Sequence, residues 1–302
     1  MPTGAAAGPD VATLESWYAS GRSLEALGRR LFVREGGGGT PLLLIHGFPT
    51  SSWDWEAVWP ELAHDHRLIA PDLLGFGRSD KPPGHRYSIG EQTDLCVEVL
   101  RQLGFDECHV LAHDYGNTVG QELLARANEG RLATRLHSMV FLNGGLFPEC
   151  HRPVLLQRLL LGPLGPLLAR LTSRRRFAAN LVRVFGPQTP PSAEQVDGFW
   201  HLLNENHGIA ALPRLLRYIP ERHARRERWV GALMQARLPV GFINGNLDPI
   251  SGAHMAARWR ELLPAAALVE LADIGHYPQL EAPQRVLEAY RALRARFSTG
   301  GA

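Results

Sequence analysis

Eleven residues, Val110-Leu111-Ala112-His113-Asp114-Tyr115-Gly116-Asn117-Thr118-Val119-Gly120, constrain this chain more than any other stretch. An apolar run stops at polar residues, glycine follows, and the pattern turns helical. A short apolar run reads as a buried strand, and the change of period marks a helix beginning. The predicted unit is strand, sharp turn, helix, with the Asp114 side chain at the apex. A turn of this kind displays one reactive side chain at the end of a strand. With Asp there, the attacking group is a carboxylate rather than a hydroxyl.

The chain alternates around that unit. Leu31-Phe32-Val33 reads as a strand. The turn Gly36 to Gly39 lacks the Lys-Ser/Thr of a phosphate loop, and a further strand, Pro41 to Ile45, follows it. The latter is continuously apolar, as strands of a parallel sheet are when both faces are covered. Trp53, Trp55, Val58, Trp59 and Leu62 then recur at helical spacing. Arg67 to Ala70 reads as a strand, Glu91 to Leu103 as a helix, Glu107 to Ala112 as the apex strand and Leu136 to Leu142 as another. From Phe147 to Ala236 the pattern is helical throughout, broken by prolines. Leu238 to Asn244 resumes the strands, followed by a helix over Gly252 to Leu263, a strand over Ala267 to Leu271 and a closing helix over Pro283 to Phe297. The expected fold class is α/β, with a mostly parallel central sheet flanked by helices and a helical cap inserted after the sixth strand. The expected division is a core over 1–146 and 237–302 with the cap over 147–236. Residues 1–10 read as lacking structure. Arg174 to Arg176, and Arg225, Arg226 and Arg228, read as solvated charge on the cap.

Four polar clusters follow strands: His46-Gly47-Phe48-Pro49, His113-Asp114-Tyr115, Asn244 to Pro249, and Asp273-Ile274-Gly275-His276-Tyr277. Ligands of open α/β sheets gather beyond the carboxyl ends of the strands, so one topology brings all four to one edge. The order Asp114, Asp248, His276 is nucleophile, acid, histidine.

With these motifs in place, the chain resembles the α/β-hydrolase superfamily, and within it the branch of epoxide hydrolases and haloalkane dehalogenases. His46-Gly47-Phe48-Pro49, Gly75-Phe76-Gly77-Arg78-Ser79-Asp80-Lys81-Pro82 and His113-Asp114-Tyr115-Gly116 carry the likeness. A narrower one, to the mesoderm-specific transcript family, rests on Asn143 to Pro148, His151-Arg152-Pro153 and Arg228 to Leu233. The resemblance implies a hydrolase in which Asp114 attacks an sp³ carbon and forms an alkyl ester. His276, held by Asp248, then activates water against that ester. The backbone N–H groups of Phe48 and Tyr115 would form the oxyanion hole, and His46, Pro49, Trp53 and Asn143 would border the substrate pocket. Dehalogenases hold the departing halide with N–H donors, one from a Trp after the nucleophile. Here that residue is Tyr115, and Phe48 stands where another donor is often found. Epoxide hydrolases protonate the opening ring with two cap tyrosines. Tyr218 matches the second and the first is missing, so Tyr218, aided by Tyr115, is the expected leaving-group donor. The favoured expectation is an epoxide-hydrolase-like enzyme on a small apolar substrate. The alternatives are a haloalkane or halo-acid dehalogenase, and a weakly active or non-catalytic binding protein on the same fold.

Composition bears on partners and compartment. A formal charge of +2 gives no basis for nucleic acid binding. Cys96, Cys108 and Cys150 have no metal-ligand spacing and read as free thiols, so no metal or cofactor is expected and the expected location is cytoplasmic. No signal peptide is expected, because Met1 to Asp10 has neither a basic start nor an apolar core, and no integral membrane segment, because prolines and polar residues break the greasiest stretch, Pro153 to Leu171. No feature assigns an oligomeric state.

Overall fold

The computed structural model describes residues 13–299. The expectation for residues 1–10 lies outside them. Eight strands form one sheet: β1 (Gly21–Ala26), β2 (Arg29–Gly36), β3 (Thr40–Ile45), β4 (His66–Pro71), β5 (Glu107–Ala112), β6 (Arg135–Phe141), β7 (Val240–Gly245) and β8 (Ala267–Leu271). Their order is β1-β2-β4-β3-β5-β6-β7-β8. β1 and β2 pair antiparallel, as do β2 and β4, and every other pair is parallel.

The parallel strands are the apolar runs. Leu42 to Ile45 of β3 and Val110 to Ala112 of β5 are buried, covered on both faces by helices. Each such aliphatic side chain contributes roughly 1.5–3 kcal/mol on leaving water. That concentration puts β3 and β5 at the centre and gives the loops after them a rigid base.

One strand was not expected. The segment around Trp17 and Tyr18 forms a short helix, Leu14–Ala19, and then β1, which closes a hairpin with β2. Its strand is polar and half-exposed, so it lacks apolar alternation. Its turn is Leu27-Gly28, both at positive φ (49° and 73°). Leucine is uncommon there, and the Asn-Gly or Asp-Gly signature of such turns is missing.

Seven helices lie between β6 and β7: Leu155–Leu161, Gly165–Arg170, Arg174–Val182, Ala193–Asn204, Gly208–Leu215, Tyr218–Ala224 and Arg226–Met234. The last of them lies against the core helix Tyr115–Asn128. There Arg228 pairs with Glu122 and Glu129, and the Trp229 indole N–H donates to Glu122 at 2.8 Å. No helix among the described residues is long and apolar enough to cross a membrane.

Candidate functional site

The site is assembled at the carboxyl ends of β3, β5, β6, β7 and β8. β5 leads to Asp114, which sits at φ 45°, ψ −104° immediately before the helix Tyr115–Asn128. A non-glycine residue there costs on the order of 1–3 kcal/mol and persists only where its surroundings enforce it. The surroundings do so through close backbone approach. A Cβ on Gly116 would lie 2.3 Å from the Ile45 carbonyl oxygen, and one on Gly47 would lie 2.7 Å from His113 Nδ1. Only glycine lets the loops after β3 and β5 meet. The Asp114 N–H donates to the Asn143 carbonyl at 2.8 Å, which ties the apex to the loop after β6.

The Asp114 carboxylate is buried. Its Oδ2 accepts the Phe48 N–H at 3.0 Å, and its Oδ1 lies 3.9 Å from His276 Nε2. The Tyr115 N–H opens the following helix, where the first N–H groups have no intrahelical acceptor. His276 Nδ1 donates to Asp248 Oδ2 at 2.7 Å. The His276 N–H donates to the Val184 carbonyl at 2.8 Å, which fastens this loop to the helical insertion. Asp248 also accepts from the Ile250 N–H (2.7 Å), the Ser251 hydroxyl (2.5 Å) and the Asn143 amide (3.1 Å). The sequence reading brought Asp114, Asp248 and His276 to one edge, and they meet in one cluster.

The electrostatics follow from this packing. Burial alone would lower the His276 pKa. The charge and hydrogen bond of Asp248, and then the charge of Asp114, outweigh it and push His276 up to about 9. Burial would raise Asp248, but His276 and the donors around it bring that carboxyl down to about 2. The imidazole is therefore held toward its protonated form by the acids beside it.

A cavity of about 100 Å³ opens onto Asp114 and His276. Phe48, Pro49, Ile250 and Tyr277 line its core side. Val154, Leu156, Gln157, Leu160, Phe177, Asn180 and Leu181 line the insertion side. Two larger clefts, under Leu262–Ala267 and beside Pro82–Gly84, lie away from Asp114.

Several expected positions need correction. Pro49 lines the cavity, but His46, Trp53 and Asn143 do not. His46 Nδ1 faces the Gly47 carbonyl at 2.8 Å and its Nε2 accepts the Leu73 N–H at 2.9 Å, so the ring secures its own loop. Trp53 is buried under the helix Ala193–Asn204, 5.0 Å from the Phe199 ring. The Asn143 side chain bonds Gly245 through both its amide and its carbonyl, and braces Asp248. Tyr218 is also absent from the cavity wall. Its ring lies tilted against Tyr115 (4.7 Å between centroids) and Phe48 (6.4 Å), and its hydroxyl is buried with no hydrogen-bond partner. Burial, and then the Asp114 charge, hold its pKa above the usual range. Tyr115 is buried with its hydroxyl beside Gln92, outside the cavity lining.

Sequence reasoning missed Ser251, Ile250 and Gln157. Asp248-Pro249-Ile250-Ser251 is a turn-forming run, and its donors wrap back onto the Asp side chain as such turns do. Gln157 gave no local signal; only the fold brings it over the cavity.

A buried carboxylate at a strained strand-to-helix turn, with an acid–histidine pair beside it, defines the class. The alpha/beta hydrolase family profile matches residues 42–289, and the chain belongs to that family. Among its relatives, the mesoderm-specific transcript protein of Mus musculus is 44% identical over 92% of this chain and 86% of that protein. The putative hydrolase LipZ of Mycobacterium tuberculosis is 42% identical over 93% and 98%. The solved haloalkane dehalogenase DbeA of Bradyrhizobium elkani has the same fold, with a TM-score of 0.77 at 21% identity over 93% and 99% of the two chains.

Proposed function

We propose that this hydrolase uses Asp114 as a nucleophile toward an sp³ carbon, with epoxides as its substrate class. One observation carries the reading: the Asp114 carboxylate already receives the Phe48 N–H on one oxygen and faces His276 with the other. In a serine hydrolase the oxyanion donors serve the substrate carbonyl. Here they serve Asp114 itself, which suits an ester formed on that side chain.

In the first step an Asp114 oxygen attacks an epoxide carbon. The C–O bond of the ring breaks and its oxygen takes a proton. In the second, water attacks the carbonyl carbon of the ester as His276 Nε2 accepts its proton. The oxyanion on the Asp114 carboxyl is held by the Phe48 and Tyr115 N–H groups. Its collapse breaks the bond to the substrate oxygen, which takes the proton back from His276 and leaves as the diol, and the Asp114 carboxyl proton restores the donor that opened the ring. Esterification removes the Asp114 charge, which lowers the proton affinity of His276 when a base is needed. The Tyr218 hydroxyl is the proposed proton donor to the ring; it lies beside Phe48 and outside the cavity wall, so the role requires one of these side chains to shift when substrate binds. Its support is a buried hydroxyl without a partner that still feels the Asp114 charge. The helices over the cavity act as a cap that supplies its apolar wall. A dehalogenase is the second reading, favoured by Gln157, a cavity-lining side chain with N–H donors for a halide.

Single turnover in heavy-oxygen water tests the mechanism. Label should enter the peptide holding Asp114, and Asp114→Asn should abolish turnover. Label found only in the product of the first turnover would sink the ester mechanism. Styrene-type epoxides, haloalkanes and fluoroacetate, compared side by side, separate the two readings.

A further inference from the structure

The first three helices of the insertion have a second face. Nine large apolar side chains are markedly exposed among the described residues, and six of them fall between Leu155 and Val182. Leu155 is 71% exposed, Leu164 63%, and Leu167 and Leu171 both 56%. Leu155 and Leu159 are one turn apart on the helix Leu155–Leu161, and Leu164, Leu167 and Leu171 follow along Gly165–Arg170 and its ends. Monomeric proteins rarely leave such a set in water without a use for it.

Charge at the same place is one-sided. Residues 150–193 contain seven arginines (152, 158, 170, 174, 175, 176 and 183) and no Asp or Glu. The whole chain carries only +2, so the remainder is net negative. All seven arginines are exposed. Arg174 pairs with Asp197, but no ion pair engages the other six among the described residues. The cluster Arg226 and Arg228 behaves differently, because Glu149, Glu122 and Glu129 neutralise it.

We propose that this outer face docks on the surface of an anionic phospholipid bilayer. Leucine tips flanked by arginine are the composition of a helix that lies in a membrane interface, with the apolar groups among the acyl chains and the cations at the headgroups. Nucleic acid would use the arginines but would give the leucines nothing to enter. The same helices line the cavity with their inner faces, through Leu156, Leu160, Phe177 and Leu181. Docking therefore sets the wall of the Asp114 cavity against the bilayer, where lipophilic molecules concentrate. No spanning segment is required.

The test uses the full chain and flotation with vesicles, either pure phosphatidylcholine or with about a third phosphatidylserine. The protein should float with the anionic vesicles, and about tenfold less with neutral ones or at high salt. A variant carrying L155S, L159S, L164S and L167S should lose about tenfold in partition, as should one carrying R158E, R175E and R183E, each with an unchanged thermal midpoint. None of these residues lines the cavity. Failure to float with anionic vesicles overturns the proposal. So does leucine-independent binding displaced by heparin, which would mark a surface for soluble polyanions. A dimer in sedimentation that the leucine variant dissolves would mean that a second copy covers the face, and would also overturn it.

Discussion

Asp248→Asn isolates charge from shape in the cluster. Three donors converge on Asp248 Oδ2: His276 Nδ1, the Ser251 hydroxyl and the Asn143 amide. A single donor, the Ile250 N–H, addresses Oδ1. An asparagine will therefore keep its carbonyl at the Oδ2 position and turn its NH₂ toward Ile250. His276 keeps its orientation and its Nδ1–H bond, but loses the negative charge that outweighs its burial. Its pKa, about 9 with Asp248 ionised, should fall to the ordinary 6.5 or below. At about 1.4 kcal/mol per unit, that removes at least about 3 kcal/mol of imidazolium stabilisation. In the proposed mechanism the imidazolium forms when water attacks the ester, so hydrolysis should slow by at least about 10²-fold, towards the roughly 10⁴ that such a substitution can cost. The unsatisfied Ile250 N–H costs a further 1–3 kcal/mol, roughly, of folding stability.

Alkylation of Asp114 should stay fast, because Asp248 does not touch the attacking oxygen. The ester should accumulate in Asp248→Asn, and intact-protein mass spectrometry after mixing with a styrene-type epoxide should show the protein plus one substrate. Quenched-flow measurement of its decay gives the hydrolysis rate directly. Decay at the wild-type rate would refute the role given to Asp248. A variant that never forms the adduct would refute the division into two steps.

Three other substitutions probe separate parts of the argument. Gly116→Ala puts a Cβ 2.3 Å from the Ile45 carbonyl oxygen, with only backbone to give way, and should cost several kcal/mol; an unchanged thermal midpoint would show that the strand-to-helix turn at Asp114 is not tightly packed. Tyr218→Phe deletes a buried hydroxyl without a partner, so stability should hold while epoxide turnover falls on the order of 10²-fold and any haloalkane turnover stays level. Equal turnover of epoxide by both proteins would remove Tyr218 from the mechanism. Burial raises Glu56, beside Gln195, to about 7 from an ordinary 4.5. The folded state thus holds its proton to higher pH than the unfolded chain, so its contribution is full below about 4.5 and lost as pH rises through 7. Glu56→Gln should accordingly gain up to about 3 kcal/mol over the wild type at pH 8, with the gap closing below pH 4.5, as followed by urea unfolding.

The parts read correctly from sequence are those that a local pattern encodes. The apolar runs of β3 and β5 could only be covered strands, and the polar clusters after them had to share an edge. That reasoning brings Asp114, Asp248 and His276 to one edge, and the structure places them in one cluster. The misplaced residues lie in the same clusters, which explains the error. His46 and Asn143 are in the right loops, but the face a loop side chain presents depends on partners far along the chain: Leu73 for His46, and Gly245 and Asp248 for Asn143. Trp53 was near the loop in sequence, yet the helix Ala193–Asn204 packs over it; a Cβ on Gly198 would lie 2.3 Å from its ring. The cavity wall at Gln157 comes from the helix Leu155–Leu161, which carries leucine on both its inner and its outer face. Periodicity there finds the helix but not its direction.

Asn143 shows how the strand order generates the site rather than merely supporting it. β6 lies between β5 and β7, so the loop that follows it runs between the loops after both neighbours. Asn143 uses its backbone on one side and its side chain on the other. Its carbonyl accepts the Asp114 N–H at 2.8 Å, and its amide donates to Asp248 at 3.1 Å and to the Gly245 carbonyl at 2.9 Å. The spacing of Asp114 and Asp248 is thereby tied to one residue's covalent geometry and the sheet's own spacing. His276 is held to Asp248 and to the Val184 carbonyl of the insertion, and meets Asp114 only across 3.9 Å. The gap is the part of the cluster left unbridged by any hydrogen bond. A water positioned against an ester on Asp114 would need that space, and the rest of the framework is what keeps it open.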